Sequence, residues 1–143
     1  MGDRKRLAAL AAAVAVVAAG LGVRAVAGGE PAKYAGDALY TVLVQTLVLI
    51  VAPRTRPGRA AGLALALSWA VEFFQITGLP ARWSAESTVA RLVLGSTFNG
   101  PDLLWYAVGA GCGWLVHRAL SYRRGTMPAM RTVRAVRAGR PDE

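Results

Sequence analysis

The chain has 143 residues, 55% of them hydrophobic, and still carries a formal charge of +9 with one cysteine and one histidine. A lone Cys112 excludes an intramolecular disulfide and a thiolate metal cage, and a lone His117 excludes a histidine cluster, so no cofactor is indicated. Charge and apolar residues are segregated into long apolar blocks with short basic punctuation, which is the pattern of membrane spans rather than of a nucleic-acid-binding face.

The first apolar block covers residues 7–27 and follows Arg4-Lys5-Arg6. This basic start, with Ala25-Val26-Ala27 behind it, also resembles a secretory signal peptide and its cleavage site. The run Leu7–Val23 exceeds the usual ~7–15-residue signal core, and Arg24 interrupts the site, so the block is read as a retained span. A tight turn at Gly28–Lys33 leads to the second block, 34–52. A second tight turn, Pro53–Arg59, holds two prolines and leads to the third block, 60–79. The connection Pro80–Pro101 is longer and partly apolar. Within it Thr88–Leu94 predicts a short helix on the outer surface, with Arg91 on its polar side. The fourth block is 103–120. Each block is about the ~20 residues that cross the hydrocarbon as a helix. The fold class expected is all-α: a polytopic membrane protein with four transmembrane helices in one bundle over residues 1–120. The remainder, 121–143, is a basic tail expected to be disordered.

Orientation follows from the short basic segments. With the N-terminus inside, thirteen arginines and lysines fall on the cytoplasmic side, against Arg24, Lys33, Arg82 and Arg91 outside. Both termini are therefore expected in the cytoplasm, where the arginine-rich tail meets anionic lipid. The partners expected are the lipid bilayer and those anionic headgroups, with no nucleic acid; the sequence leaves the oligomeric state open.

Polar residues inside spans are costly and usually face the bundle interior, so their spacing is informative. Lys33, Asp37, Thr41 and Gln45 recur every four residues and form one stripe. Ser68, Glu72 and Gln75 form a second, and Asp102, Tyr106, Gly109 and Gly113 a third. Asp37 and Asp102 also suit helix N-terminal caps. Glu72 does not, because it lies about 10 Å below the outer end at ~1.5 Å per residue. The candidate polar pocket is thus Lys33, Asp37, Glu72, Gln75, Arg91, Asp102 and Tyr106, in the outer half. Gly109 and Gly113 form a small-xxx-small pair suited to internal helix packing. No catalytic signature and no metal site is present.

Four stretches are familiar in their order and spacing: Lys33-Tyr34-Ala35-Gly36-Asp37-Ala38-Leu39-Tyr40, Ala70-Val71-Glu72-Phe73-Phe74-Gln75, Arg91-Leu92-Val93-Leu94-Gly95-Ser96-Thr97-Phe98-Asn99, and Asp102-Leu103-Leu104-Trp105-Tyr106-Ala107-Val108-Gly109. Between Leu7 and Leu120 the chain resembles the small bacterial membrane family catalogued as domain of unknown function 2809. More loosely, the Asp, Glu-x-x-Gln, Arg and Asp pattern is similar to VanZ-like proteins, a family associated with teicoplanin resistance. The resemblance implies four helices, the shared motif set and a bacterial plasma (inner) membrane, and it implies no chemistry.

Three functions fit these residues. The first is a non-enzymatic pocket in the outer leaflet for a lipid headgroup or small solute. The second is a membrane-embedded enzyme on a lipid-linked envelope substrate, with Glu72 as general base. The third is interhelical polar glue alone. Topology is directly testable. Reporter fusions after Tyr122 should read as cytoplasmic and fusions within Trp83–Ser87 as external, and an external tail would overturn the orientation.

Overall fold

The computed structural model describes residues 2–95 and 97–138, with side chains described as far as Tyr122 in the last helix. Among the described residues there are helices and no strands. α1 (Gly2–Val26) is built from alanine, valine and leucine, and its polar residues lie near its two ends. It stops at Ala27-Gly28, and Gly29 takes φ +72, a left-handed conformation that glycine adopts without steric cost. α2 (Gly29–Val51) therefore starts five residues earlier than the sequence suggests. α3 (Pro57–Gln75) has proline in its first turn, where the missing N–H costs nothing.

After α3 the chain departs from a simple span. The third apolar block was expected to run to Leu79, but the helix ends at Gln75 and Gly78 adopts φ +73. α4 (Leu79–Glu86) then sets off at 89° to α3, with proline in its first turn. α5 (Thr88–Leu94) has the bounds that the sequence predicts. It is capped by the Ser87 hydroxyl, which accepts the Ala90 N–H at 3.3 Å, and it ends at Gly95 with φ +66. α6 (Gly100–Ala138) does not stop at Leu120. Residues 121–138, expected as disordered tail, continue the helix, and residues 139–143 lie outside the described residues.

α2, α3 and α6 pack against one another, whereas α1 packs on α2 alone and α4 and α5 pack on each other and on α3. The interior is small and polar. Ala32, Ala60, Ala61, Ala64 and Ala110 are buried beside Thr41, Gln45, Ser68, Glu72, Gln75 and Asp102. Large apolar side chains such as Leu63, Leu67, Leu104 and Leu115 point outward. In water that distribution would expose far too much apolar surface. In lipid it is favourable, because hydrocarbon is as apolar as leucine and helix association rests on close packing and hydrogen bonds. By length and composition α1 (from Asp3) and α2 are able to cross a membrane, and the bent α3–α4 pair brings the number to three.

Close approach of α2 and α6 depends on two glycines. A Cβ on Gly109 would collide with the Ala38 backbone carbonyl, and one on Gly113 with the Gln45 side-chain oxygen. Gly109 meets backbone, which cannot rotate away, so any side chain there wedges the helices apart. The pair serves internal packing, as its spacing suggests. Gly111 faces open space. Gly109→Ala should therefore destabilise the protein by about 1–3 kcal/mol, an overpacking cost. Gly111→Ala should be neutral or stabilising, since alanine is the better helix former. Thermal unfolding in detergent compares the two, and equal melting shifts would contradict the packing.

Candidate functional site

The polar stripes of α2, α3 and α6 meet at one end of the bundle, and the structure brings all three together. Glu72 is 1% exposed and both its carboxylate oxygens are occupied. Oε1 accepts the Asn99 backbone N–H at 2.5 Å, and Oε2 accepts the Tyr106 hydroxyl at 3.0 Å. Asn99 lies in the segment between α5 and α6. Its side-chain amide donates to Asp102 Oδ1 at 2.6 Å. The same Asp102 oxygen receives the Lys33 ammonium, which also reaches Asp37 at 3.5 Å. A continuous hydrogen-bonded chain thus runs Asp37, Lys33, Asp102, Asn99, Glu72, Tyr106. Buried charge is tolerable only when paired and hydrogen-bonded in this way.

Further side chains bind the α4–α5 hairpin to the bundle through its carbonyl groups. Gln75 Nε2 donates to the Leu94 carbonyl at 2.6 Å and the Tyr40 hydroxyl to the Val93 carbonyl at 3.0 Å, while within the hairpin the Ser84 hydroxyl of α4 donates to the Gly95 carbonyl at 2.7 Å. Gly95 fits here for a second reason besides its φ, since a Cβ would press on the Gln75 amide. These bonds satisfy carbonyls at the end of α5 that have no helical partner. Deeper in the bundle the Thr41 hydroxyl donates to Ser68 at 3.0 Å, joining α2 to α3.

The hairpin closes one side of a pocket of about 330 Å³, whose polar lining is Arg24, Asp37, Tyr40, Gln75, Arg91 and Tyr106. The sequence-predicted residues therefore divide. Asp37, Gln75, Arg91 and Tyr106 line the pocket. Glu72, Asp102 and Lys33 do not, being committed to the hydrogen-bonded chain, which meets the pocket at Asp37 and Tyr106. Gln75 is directed to the hairpin and not to Glu72. Asp37 lies two turns inside α2, so it is not an N-terminal cap, whereas Asp102 is in the first turn of α6. Among the described residues no group of three His, Cys, Asp or Glu side chains is placed to hold a metal ion.

Four participants escaped the sequence reading. Asn99, which closes the third of the familiar stretches, contributes both its backbone N–H and its side chain. Tyr40 and Ser84 carried no signal beyond a hydroxyl. Arg24 was read as interrupting a cleavage site, and its place at the end of an apolar run was the available hint, because arginine in a span is expensive.

The fold and this cluster define an all-helical protein of membrane type with a bent, hairpin-closed polar end. The chain belongs to the family described as Protein of unknown function (DUF2809), whose model matches residues 29–110. That match takes in the whole hydrogen-bonded chain and both hairpin helices, and it leaves out α1 with Arg24. It is narrower than the resemblance in the sequence, and the looser likeness to VanZ-like proteins is not part of it. No curated protein and no solved structure matches the chain.

Glu72 offers the sharpest test of the cluster. Glu72→Ala strips the acceptor from two buried donors, at about 1–3 kcal/mol for each. Glu72→Gln keeps an oxygen for the Asn99 N–H and can donate to a rotated Tyr106 hydroxyl, so it should melt close to wild type. Equal melting temperatures for wild type and Glu72→Ala would contradict the network.

Proposed function

We propose that the chain is a non-enzymatic, multi-pass protein of the bacterial plasma membrane whose outer-side pocket binds a polar lipid headgroup or small solute. In this reading α1, α2, α3 and the first part of α6 are the four spans. Both termini are cytoplasmic, and anionic lipid lies along the basic segment beyond Tyr122. Basic residues on the inner side support that orientation, as does the gathering of the polar stripes at one end.

One observation carries the binding reading. Arg24 and Arg91 line the same pocket, and neither guanidinium has an ion-pair partner among the described residues. Arginine is suited to oxyanions through its planar fork of donors. Two unpaired guanidiniums around about 330 Å³ make an anion receptor at the small end of ligand-pocket volumes. Val89, Leu92 and Val93 of the adjacent α5 are exposed, which suits a helix seated at the lipid surface.

The enzyme reading needs Glu72 to reach a substrate as a base. Its burial and its two engaged oxygens favour an anchoring role instead, so the glue reading describes Glu72 while the pocket reading describes the arginines. The test is calorimetric titration of the full chain, in neutral detergent, with short-chain phosphatidylglycerol. Wild type should bind, and Arg24→Gln with Arg91→Gln together should weaken binding by tenfold or more, the cost of lost charge-assisted bonds. No binding, or equal affinity in the double variant, would overturn the reading.

A further inference from the structure

The pocket presents unmet acceptors as well as unmet donors. Gln75 Oε1 is buried without a hydrogen-bond partner, on a residue 8% exposed. Its orientation is settled chemically, because the other amide atom faces the Leu94 carbonyl, which only accepts. Asp37 is held by Lys33 alone, at 3.5 Å, while Lys33 makes its closer contact with Asp102. The two tyrosine hydroxyls on the wall are already spent on Val93 and Glu72. What remains around the cavity is two guanidiniums, from α1 and α5, and two acceptors with capacity to spare: Asp37, whose one contact is the long one to Lys33, and the partnerless carbonyl of Gln75.

Resting on the pocket reading above, we propose that the ligand is a zwitterion: a phosphate-type oxyanion for Arg24 and Arg91, joined to a primary ammonium for Asp37 and Gln75. A simple anion would satisfy the arginines and leave the buried Gln75 carbonyl without a donor, the costly state for a buried acceptor, and Asp37 with only its long contact to Lys33. An ammonium supplies three donors, enough for both acceptors. A quaternary ammonium has no N–H and would not satisfy them. The volume suits a group the size of phosphoethanolamine and is too small for acyl chains, so a lipid would insert its headgroup only. The source is therefore either an aminophospholipid headgroup or the free phosphoamine.

The full chain in neutral detergent is titrated with four probes: short-chain phosphatidylethanolamine, short-chain phosphatidylglycerol, phosphoethanolamine and glycerol phosphate. Amine-bearing probes should bind tenfold or more tightly than their amine-free counterparts, one charge-assisted contact being worth at least that. Asp37→Asn, which keeps size and shape, should abolish that preference and leave the weaker anion binding. The wild-type probe series stands even where the variant fails to fold. Equal binding of amine-bearing and amine-free probes to wild type would overturn the zwitterion and leave the anion pocket standing. Absence of all binding would overturn both. Preference for the ethanolamine lipid over phosphoethanolamine assigns a headgroup, and the reverse assigns a soluble ligand.

Discussion

Glu72 governs the polar end of the bundle, because one carboxylate must satisfy two donors that have no other acceptor among the described residues. The Asn99 N–H belongs to an irregular segment between α5 and α6, and the Tyr106 hydroxyl belongs to α6. Helices need no help with their backbone groups in an apolar medium, but irregular segments do. Anchoring Asn99 to α3 fixes where the hairpin returns to the bundle. From there its side chain reaches Asp102, and Asp102 gathers Lys33 from α2. Three helices and a hairpin are thereby tied through one buried acid.

The hairpin so anchored makes the pocket, and the division of labour is chemical. Groups with complete partners, Glu72, Asp102 and Lys33, build the wall. Residues with incomplete ones, Arg24, Arg91, Asp37 and Gln75, line the space. The second set is what the proposed pocket would use. A bare buried carbonyl carries a cost, which the ammonium of the proposed zwitterion would remove.

The parts readable in the sequence were those governed by helical period. The spacings of Lys33, Asp37, Thr41 and Gln45, and of Ser68, Glu72 and Gln75, place those residues on shared faces whatever the fold. Thr88–Leu94 was readable because its apolar residues are interrupted by one polar position, Arg91, as in a short surface helix. What escaped depended on the path of the chain through space. Asn99 meets Glu72 across 27 positions of sequence, and Tyr40 meets Val93 across 53. The break at Gly78 was hidden because apolar residues continue on both sides of it, and only the left-handed glycine turns the chain. The length of α6 was missed because the arginine-rich segment looks unstructured when read for composition alone.

Backbone hydrogen exchange, resolved along the chain in detergent or nanodiscs, tests the anchoring most directly. If Glu72 holds the hairpin, Glu72→Ala should speed exchange across residues 79–99 while α1 and the inner part of α2 keep wild-type protection. Unchanged protection across 79–99 would contradict the account, since the hairpin would then be held by something other than this carboxylate.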